Sequence, residues 1–289
     1  MIRLIIPATD GHALTACRFD PPGAPEASVV IAPAMAVPQA FYSAFAEWLA
    51  GQGYAVWTFD YRGTGESLRG PMRNAVCDLG DWYGKDYDAM LRAATDLHPN
   101  LPLFAVGHSF GGQCAPLLPS RDLLDGLVNI AAGSGSMRHN TPAIRRTAPL
   151  LWYLLVPVLC ALFGYFPGAR LGLIGDVPAG AMRQWRRWCL SADYLLGAEP
   201  GAREAYSTAR FPVLALTFPD DELVLEAGSR MLHEAYQGGN VDYRLVLPEP
   251  FGLRRIGHSG FFRPQSEATL WPVATEWMKQ VMARSAPQV

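Results

Sequence analysis

The chain has 289 residues, half of them hydrophobic, with 24 lysines and arginines against 26 aspartates and glutamates. This length accommodates one large α/β domain or two small ones, and the near-even charge without like-charged runs argues against nucleic-acid binding. Five scattered cysteines without CxxC spacing indicate neither a disulfide framework nor a zinc site, so we expect a cytoplasmic protein with small-molecule partners.

Short runs rich in Val, Ile and Phe alternate with longer helical patterns, which is typical of a mostly parallel sheet covered by helices on both faces. The first run, RLIIP, is too short for the core of a signal peptide. Eight strands are predicted, at 3–7, 14–19, 28–34, 54–60, 102–108, 126–132, 212–218 and 243–248. Three helical patterns cover 41–53, 81–99 and 269–285.

One connection is far longer than the others. Roughly eighty residues separate the strand that ends near Ala132 from the strand that begins near Pro212, too many for an ordinary link within such a sheet. The chain is therefore predicted to consist of an α/β core, 1–132 and 210–289, and an inserted helical cap, 133–209.

The insertion contains a conspicuous apolar run, APLLWYLLVPVLCALFGYFPG at 148–168. It nearly reaches the length of a membrane span. However, Pro157 is expected to interrupt its centre, and Gly164 and Pro167 to end it. A single crossing here would also separate two strands that must join one sheet. We therefore expect a cap helix and no transmembrane span, with lipid-surface contact of the same helix as an alternative.

The predicted strand PLFAVGH runs directly into GHSFGG, which matches G-x-S-x-G through Gly107, Ser109 and Gly111. A serine on a sharp turn between strand and helix exposes its hydroxyl, and the glycines allow neighbouring backbones to approach. The next helix, starting near Phe110, directs its amides toward an oxygen that becomes negative during acyl transfer. Ser109 is the candidate nucleophile.

With this motif the chain resembles the α/β-hydrolase superfamily over nearly its whole length. DYRGTGES at 60–67 is similar to the D-x-R-G-x-G-x-S segment of that superfamily, and the order of elements agrees. The segments VPQAFY, FGYFPG, RQWRRWC and GHSGFFR resemble a bacterial group of predicted hydrolases, serine-aminopeptidase-like or esterase-like. The resemblance implies an α/β-hydrolase fold with an eight-stranded sheet, and a triad in the chain order Ser, acid, His.

A nucleophilic serine needs a histidine base and a carboxylate that orients it. Of the six histidines, only His258 follows the last predicted strand, in the position that the resemblance assigns to the base. PVLALTFPDDELV ends a strand in two aspartates, and the D-x-x-V spacing favours Asp221 over Asp220 as the acid. The other aspartate is expected to cap the next helix. His108, directly before the serine, is interpreted as structural.

The oxyanion formed during acyl transfer requires two backbone donors. The first is expected to be the amide of Phe110. The second comes from the loop APAMAVPQ, in which Pro33-Ala34 replaces the His-Gly of many relatives, so Met35 is the preferred donor and Ala36 the next candidate. Only a main-chain N–H is required, so this departure is compatible with catalysis.

These features predict a serine hydrolase that cleaves an ester or thioester with an apolar portion, without a metal or organic cofactor. An acyltransferase or lyase using the same residues is one alternative, because exclusion of water depends on pocket shape. A non-catalytic small-molecule binding protein is another. A peptidase is less favoured, since no acidic cluster indicates a site for an amino terminus. Oligomeric state is not encoded in any recognisable pattern.

Overall fold

The computed structural model describes residues 1–285. Within this range eight strands form one sheet in the order β1-β2-β4-β3-β5-β6-β9-β10, and two short strands form a separate ribbon. Their bounds are Ile2–Pro7 (β1), Ala13–Phe19 (β2), Ala27–Ala32 (β3), Tyr54–Phe59 (β4), Leu103–His108 (β5), Gly126–Ile130 (β6), Tyr165–Phe166 (β7), Val177–Pro178 (β8), Val213–Thr217 (β9) and Val241–Leu245 (β10). All eight strands predicted for the sheet are confirmed; β7 and β8 were not predicted.

The sheet is antiparallel only at one side. β1 pairs with β2 and β2 with β4 in antiparallel register, whereas every neighbouring pair from β4 to β10 is parallel. The carboxyl ends of the parallel strands therefore lie along one edge, which is where open α/β sheets bind ligands. The segments that follow β3, β5 and β9 meet at this edge.

The helices connect the strands and cover both faces of the sheet. They are Ser43–Gly51 (α1), Leu79–Asp81 (α2), Asp88–Leu97 (α3), Phe110–Cys114 (α4), Pro142–Leu150 (α5), Val156–Phe163 (α6), Ala179–Leu190 (α7), Leu195–Ala198 (α8), Ala202–Thr208 (α9), Glu226–His233 (α10) and Trp271–Ser285 (α11). π-helical segments at Trp82–Tyr87 and Leu151–Leu155 lead into α3 and α6. The three predicted helical patterns are confirmed as α1, the segment ending in α3, and α11.

Two apolar clusters, one on each face of the sheet, form the core. One cluster joins α1 and α11 to the sheet, with Phe45 and Trp271 at its centre. The other combines sheet residues with buried side chains of the 133–209 insertion, among them Trp152, Met182 and Trp188. The insertion thus shares its core with the rest of the molecule. The last four residues of the predicted core range, 286–289, lie outside the described residues.

The apolar run of the insertion is helical without a break from α5 to α6. Pro157 does not interrupt it, contrary to expectation, because the π segment Leu151–Leu155 precedes the proline and places it in the first turn of α6. Gly164, in left-handed conformation at φ 77°, ends the helix as predicted.

This helix is largely exposed. Leu154 and Leu162 face outward, and 22% of its most apolar stretch is buried. By length and composition alone, Ile144–Phe163 is the one stretch of the described chain that is long and apolar enough to cross a membrane. The flanking strands β6 and β9 are hydrogen-bonded neighbours in one sheet, a pairing that a single crossing between them would break.

Candidate active site

Ser109 lies on a strained turn between β5 and α4. Its backbone angles, φ 48° and ψ −112°, are unfavourable for a residue with a side chain. The sequence tolerates this geometry because glycines surround it. A Cβ on Gly107 would lie 2.3 Å from the Cα of Gly112, and one on Gly111 would lie 2.2 Å from the carbonyl oxygen of Ala32. The G-x-S-x-G spacing is therefore required by the packing of β5, α4 and β3.

His258 and Asp221 form a buried pair. His258 Nδ1 lies 2.8 Å from Asp221 Oδ2, and both side chains are almost fully buried. The second oxygen of Asp221 accepts the amides of Leu223 at 2.7 Å and Val224 at 2.9 Å, which fixes the carboxylate in the loop after β9. Since the carboxylate accepts this hydrogen bond, Nδ1 carries the hydrogen and Nε2 is left as the basic atom.

Asp220 does not make the helix cap that the sequence predicted. It does not cap α10, which begins after Leu225 without a side-chain cap. Its carboxylate instead accepts the amides of Ile256 at 2.8 Å and Gly257 at 3.0 Å. The two adjacent aspartates thus both act on the His258 loop, Asp220 through the backbone and Asp221 through the imidazole.

Ser109 and His258 border the same cavity. No hydrogen bond joins the two side chains among residues 1–285. Hydrogen bonds between catalytic side chains are commonly long before substrate binds, so this spacing is compatible with a nucleophile and its base.

The amides of Met35 and Phe110 border the cavity as well. Neither amide donates to an acceptor within the described residues, so both are available to an oxyanion. The loop that carries Met35 is held on one side by the amide of Ala34, which donates to the Tyr42 hydroxyl at 2.9 Å. Ala36, the second candidate, is the left-handed residue of this loop at φ 58°.

The cavity has a volume of about 250 Å³ and a predominantly apolar wall. Sixteen of its wall residues come from the insertion or from the loop after β9, and ten of these carry large apolar side chains: Ile144, Leu151, Trp152, Phe166, Leu173, Ile174, Met182, Trp185, Leu223 and Val224. The conspicuous apolar run therefore contributes Leu151, Trp152 and Phe166 to the wall, while the opposite face of its helix lies in solvent.

Four polar wall residues were missed by sequence reasoning: Gln113, Asn140, Thr147 and Tyr194. The hydroxyl of Tyr194 donates to Gln113 at 3.1 Å and accepts the indole N–H of Trp185 at 3.0 Å. Tyr194 adopts φ 53° and ψ −136°, a strained geometry that no sequence motif announces. Asn140 is nearly buried, and its amide has no partner among the described residues. No sequence motif around this loop asparagine indicates that it lines a cavity.

Two further histidines are buried and neutral. Burial lowers the pKa of His108 to about 3, and burial likewise lowers the pKa of His233 to about 4. Within residues 1–285, no group of three or more His, Cys, Asp or Glu side chains has the arrangement of a metal site. The cavity itself brings together Ser109, the imidazole of the His258–Asp221 pair and two free amides.

Comparison with known proteins gives matches that agree with this geometry. The family profile described as serine aminopeptidase, S33, matches residues 23–158, slightly less than half of the chain. The monoacylglycerol lipase of Mycolicibacterium smegmatis is 27% identical over 271 residues, which cover 88% of each protein. A Schizosaccharomyces pombe protein named as a candidate monoglyceride lipase is 34% identical over 112 residues, 38% of this chain but only 25% of its own length.

Solved structures show the same fold. A soluble variant of Saccharomyces cerevisiae monoglyceride lipase, in complex with a substrate analogue, superposes with a TM-score of 0.71 at 16% identity, covering 97% of this chain and 95% of its own. An esterase from Pyrococcus furiosus superposes with a TM-score of 0.65 at 15% identity, covering 96% and 90%. The predicted α/β-hydrolase fold is thereby confirmed, and the chain is similar to esterases and lipases.

Proposed function

We propose that the chain hydrolyses a carboxylic ester or thioester with an apolar portion, using Ser109, His258 and Asp221. The observation that carries the proposal is that Ser109, His258 and two backbone amides whose N–H groups are free all border one apolar cavity. An apolar wall with few polar groups is typical of a site for a small amphipathic ligand.

In the proposed reaction, Ser109 Oγ attacks the substrate carbonyl while His258 Nε2 takes its proton. Asp221 keeps the hydrogen on Nδ1 and stabilises the imidazolium that forms. The amides of Met35 and Phe110 donate to the oxygen that becomes negative, in positions fixed before substrate arrives. His258 then gives its proton to the departing alcohol or thiol, and an acyl group remains on Ser109.

A water molecule completes the cycle. His258 takes a proton from this water as it attacks the acyl carbonyl, and returns the proton to Ser109 as the acid leaves. In this scheme residues 133–209 act as a cap, because Trp152, Met182 and Trp185 roof the cavity and limit access of bulk water.

The names of the relatives and the cavity wall support a monoacyl ester as substrate class. Proteins similar to this chain include monoacylglycerol lipases. The profile that matches residues 23–158 is described as an aminopeptidase, yet the cavity wall, as far as the structure describes it, contains no acidic side chain to receive a protonated amine. This absence favours an ester over a peptide with a free amino terminus.

Ser109→Ala tests the proposal. It should abolish hydrolysis of p-nitrophenyl butyrate and covalent labelling by a fluorophosphonate probe, both measured against the wild-type protein. Ser259→Ala is the matched control, since GHSG around it resembles the motif but follows no strand. Full turnover by Ser109→Ala contradicts the mechanism. If the wild-type protein is labelled and does not hydrolyse the ester, but transfers the acyl group to added glycerol, it is an acyltransferase.

A further inference from the structure

Beneath the cavity, two fully buried side chains connect the loop that carries Met35 to the loop that carries His258. Tyr42 and His108 are both 0% exposed. The amide of Ala34 donates to the Tyr42 hydroxyl at 2.9 Å, and that hydroxyl lies 2.9 Å from His108 Nδ1. His108 Nε2 lies 2.9 Å from the carbonyl oxygen of His258. The three hydrogen bonds form one continuous chain.

Elementary chemistry fixes the direction of every bond in it. The carbonyl of His258 can only accept, so His108 Nε2 must donate. Burial lowers the pKa of His108 to about 3 and keeps the ring neutral, so its Nδ1 accepts a hydrogen bond from the Tyr42 hydroxyl. The Tyr42 oxygen then has a lone pair for the Ala34 amide. No member can reverse its role without leaving a buried polar group unpaired, which is energetically unfavourable.

We propose that Tyr42 and His108 form a positioning bridge, which sets the oxyanion amide of Met35 and the imidazole of His258 at a fixed relative position. The inference rests on the proposed function. Its anchors are next to the reacting groups: Ala34 precedes Met35, the His258 carbonyl belongs to the base itself, and His108 precedes the nucleophile.

The surroundings make the bridge rigid. Phe262, from the His258 loop, packs against both rings, with centroids 4.9 Å from Tyr42 and 4.9 Å from His108. Phe41 contacts Tyr42 edge-on at 5.1 Å. With aromatic rings on these sides, a lost bond cannot be replaced easily by water, so its removal should shift the loops themselves.

Tyr42→Phe removes the one oxygen at the centre of the bridge and keeps the ring. Misplacement of the reacting groups should lower kcat roughly ten- to hundredfold and leave KM nearly unchanged, because the apolar wall that binds substrate is untouched. Tyr54→Phe is the matched control: Tyr54 is a buried tyrosine of the same core cluster, and its hydroxyl has no partner among the described residues. It should leave kcat unaltered.

Two substitutions of His108 separate the halves of the bridge. His108→Gln can place an amide donor near the His258 carbonyl but has no acceptor for Tyr42, whereas His108→Asn can accept from Tyr42 but cannot reach the carbonyl. Both should lower kcat. In the His108→Gln background, Tyr42→Phe should cost less than in the wild type, because the bond it removes is already broken.

The outcomes are distinguishable. A kcat loss in Tyr42→Phe with KM unchanged and sub-additive coupling to His108→Gln supports the bridge. Unaltered kcat in a folded Tyr42→Phe overturns it, as does strict additivity with His108→Gln. If Tyr42→Phe does not fold, wild-type kcat in both His108 variants overturns it. Failure of the proposed function shows separately, as an unlabelled Ser109 in the wild-type protein.

Discussion

Asp221→Asn should inactivate the enzyme, whereas Asp220→Asn should mainly destabilise it. Asp221 uses one oxygen for His258 Nδ1 and the other for the amides of Leu223 and Val224. An asparagine has one acceptor oxygen, and the two backbone donors hold it. Its NH₂ group then faces Nδ1, which must become an acceptor, so the hydrogen moves to Nε2 and the ring can no longer take the proton of Ser109.

The expected loss of kcat in Asp221→Asn follows from the change in the tautomer of His258. Loss of the correct tautomer with intact geometry reduces kcat about 10⁴-fold, equivalent to about 5.5 kcal/mol of transition-state stabilisation. Among residues 1–285, the Asp220 carboxylate accepts hydrogen bonds only from the amides of Ile256 and Gly257, and substitution by Asn leaves one of these amides facing an NH₂ group. The expected cost is about 1–3 kcal/mol in the free energy of unfolding, with kcat reduced no more than about tenfold.

The assay is hydrolysis of p-nitrophenyl butyrate by both variants at one pH, paired with urea unfolding of each. Active-site titration with a fluorophosphonate separates lost chemistry from lost folded protein. Equal loss of kcat in the two variants, or loss in Asp220→Asn alone, would refute the assignment of Asp221 as the acid.

Other predictions follow from the cavity, a buried histidine and the exposed helix face. Ile174→Trp narrows the cavity and should move the optimum acyl chain to shorter esters; Leu171→Trp, exposed on the same loop, should not. Because the pKa of His233 is lowered to about 4, its stabilising effect is present above pH 6.5 and is lost as pH falls toward 4. The advantage of wild type over His233→Gln in the free energy of unfolding should thus shrink by about 2 kcal/mol from pH 7 to pH 5, as urea titrations would show. If the outer face of the cap helix contacts lipid, Leu154→Glu with Leu162→Glu should abolish flotation with anionic vesicles while ester hydrolysis persists; wild-type protein that never floats excludes this contact.

Sequence alone gave a reliable prediction of the sheet because its signals are local. Each strand is a short apolar run. The turn at Ser109 is recognisable from its flanking glycines, which the close packing of the backbone requires. The geometry also pairs His258 with Asp221, the aspartate that the D-x-x-V spacing favoured. These features depend on residue type and on neighbours within a few positions.

What the sequence could not predict depends on contacts between distant segments. Asp220 was expected to cap a helix, yet it binds amides thirty-six and thirty-seven residues further along the chain. His108, interpreted from the sequence as structural, bonds to Tyr42 and to the His258 carbonyl, which lie 66 and 150 residues away along the chain. No periodicity or motif encodes a hydrogen bond across such separations.

The π segment Leu151–Leu155 has a consequence for how the helix tolerates changes of length. A π turn holds one residue more than an α turn, so deleting one residue there would restore regular α-helix and leave the residues beyond it on the same face. Val156 and Cys160 would stay buried and the outward leucines would stay exposed. Deleting one residue from the regular α turns before this segment would instead rotate the helix beyond the deletion by about 100°. The π segment is thus the place where this helix can lose a residue without changing the face that it turns toward the protein.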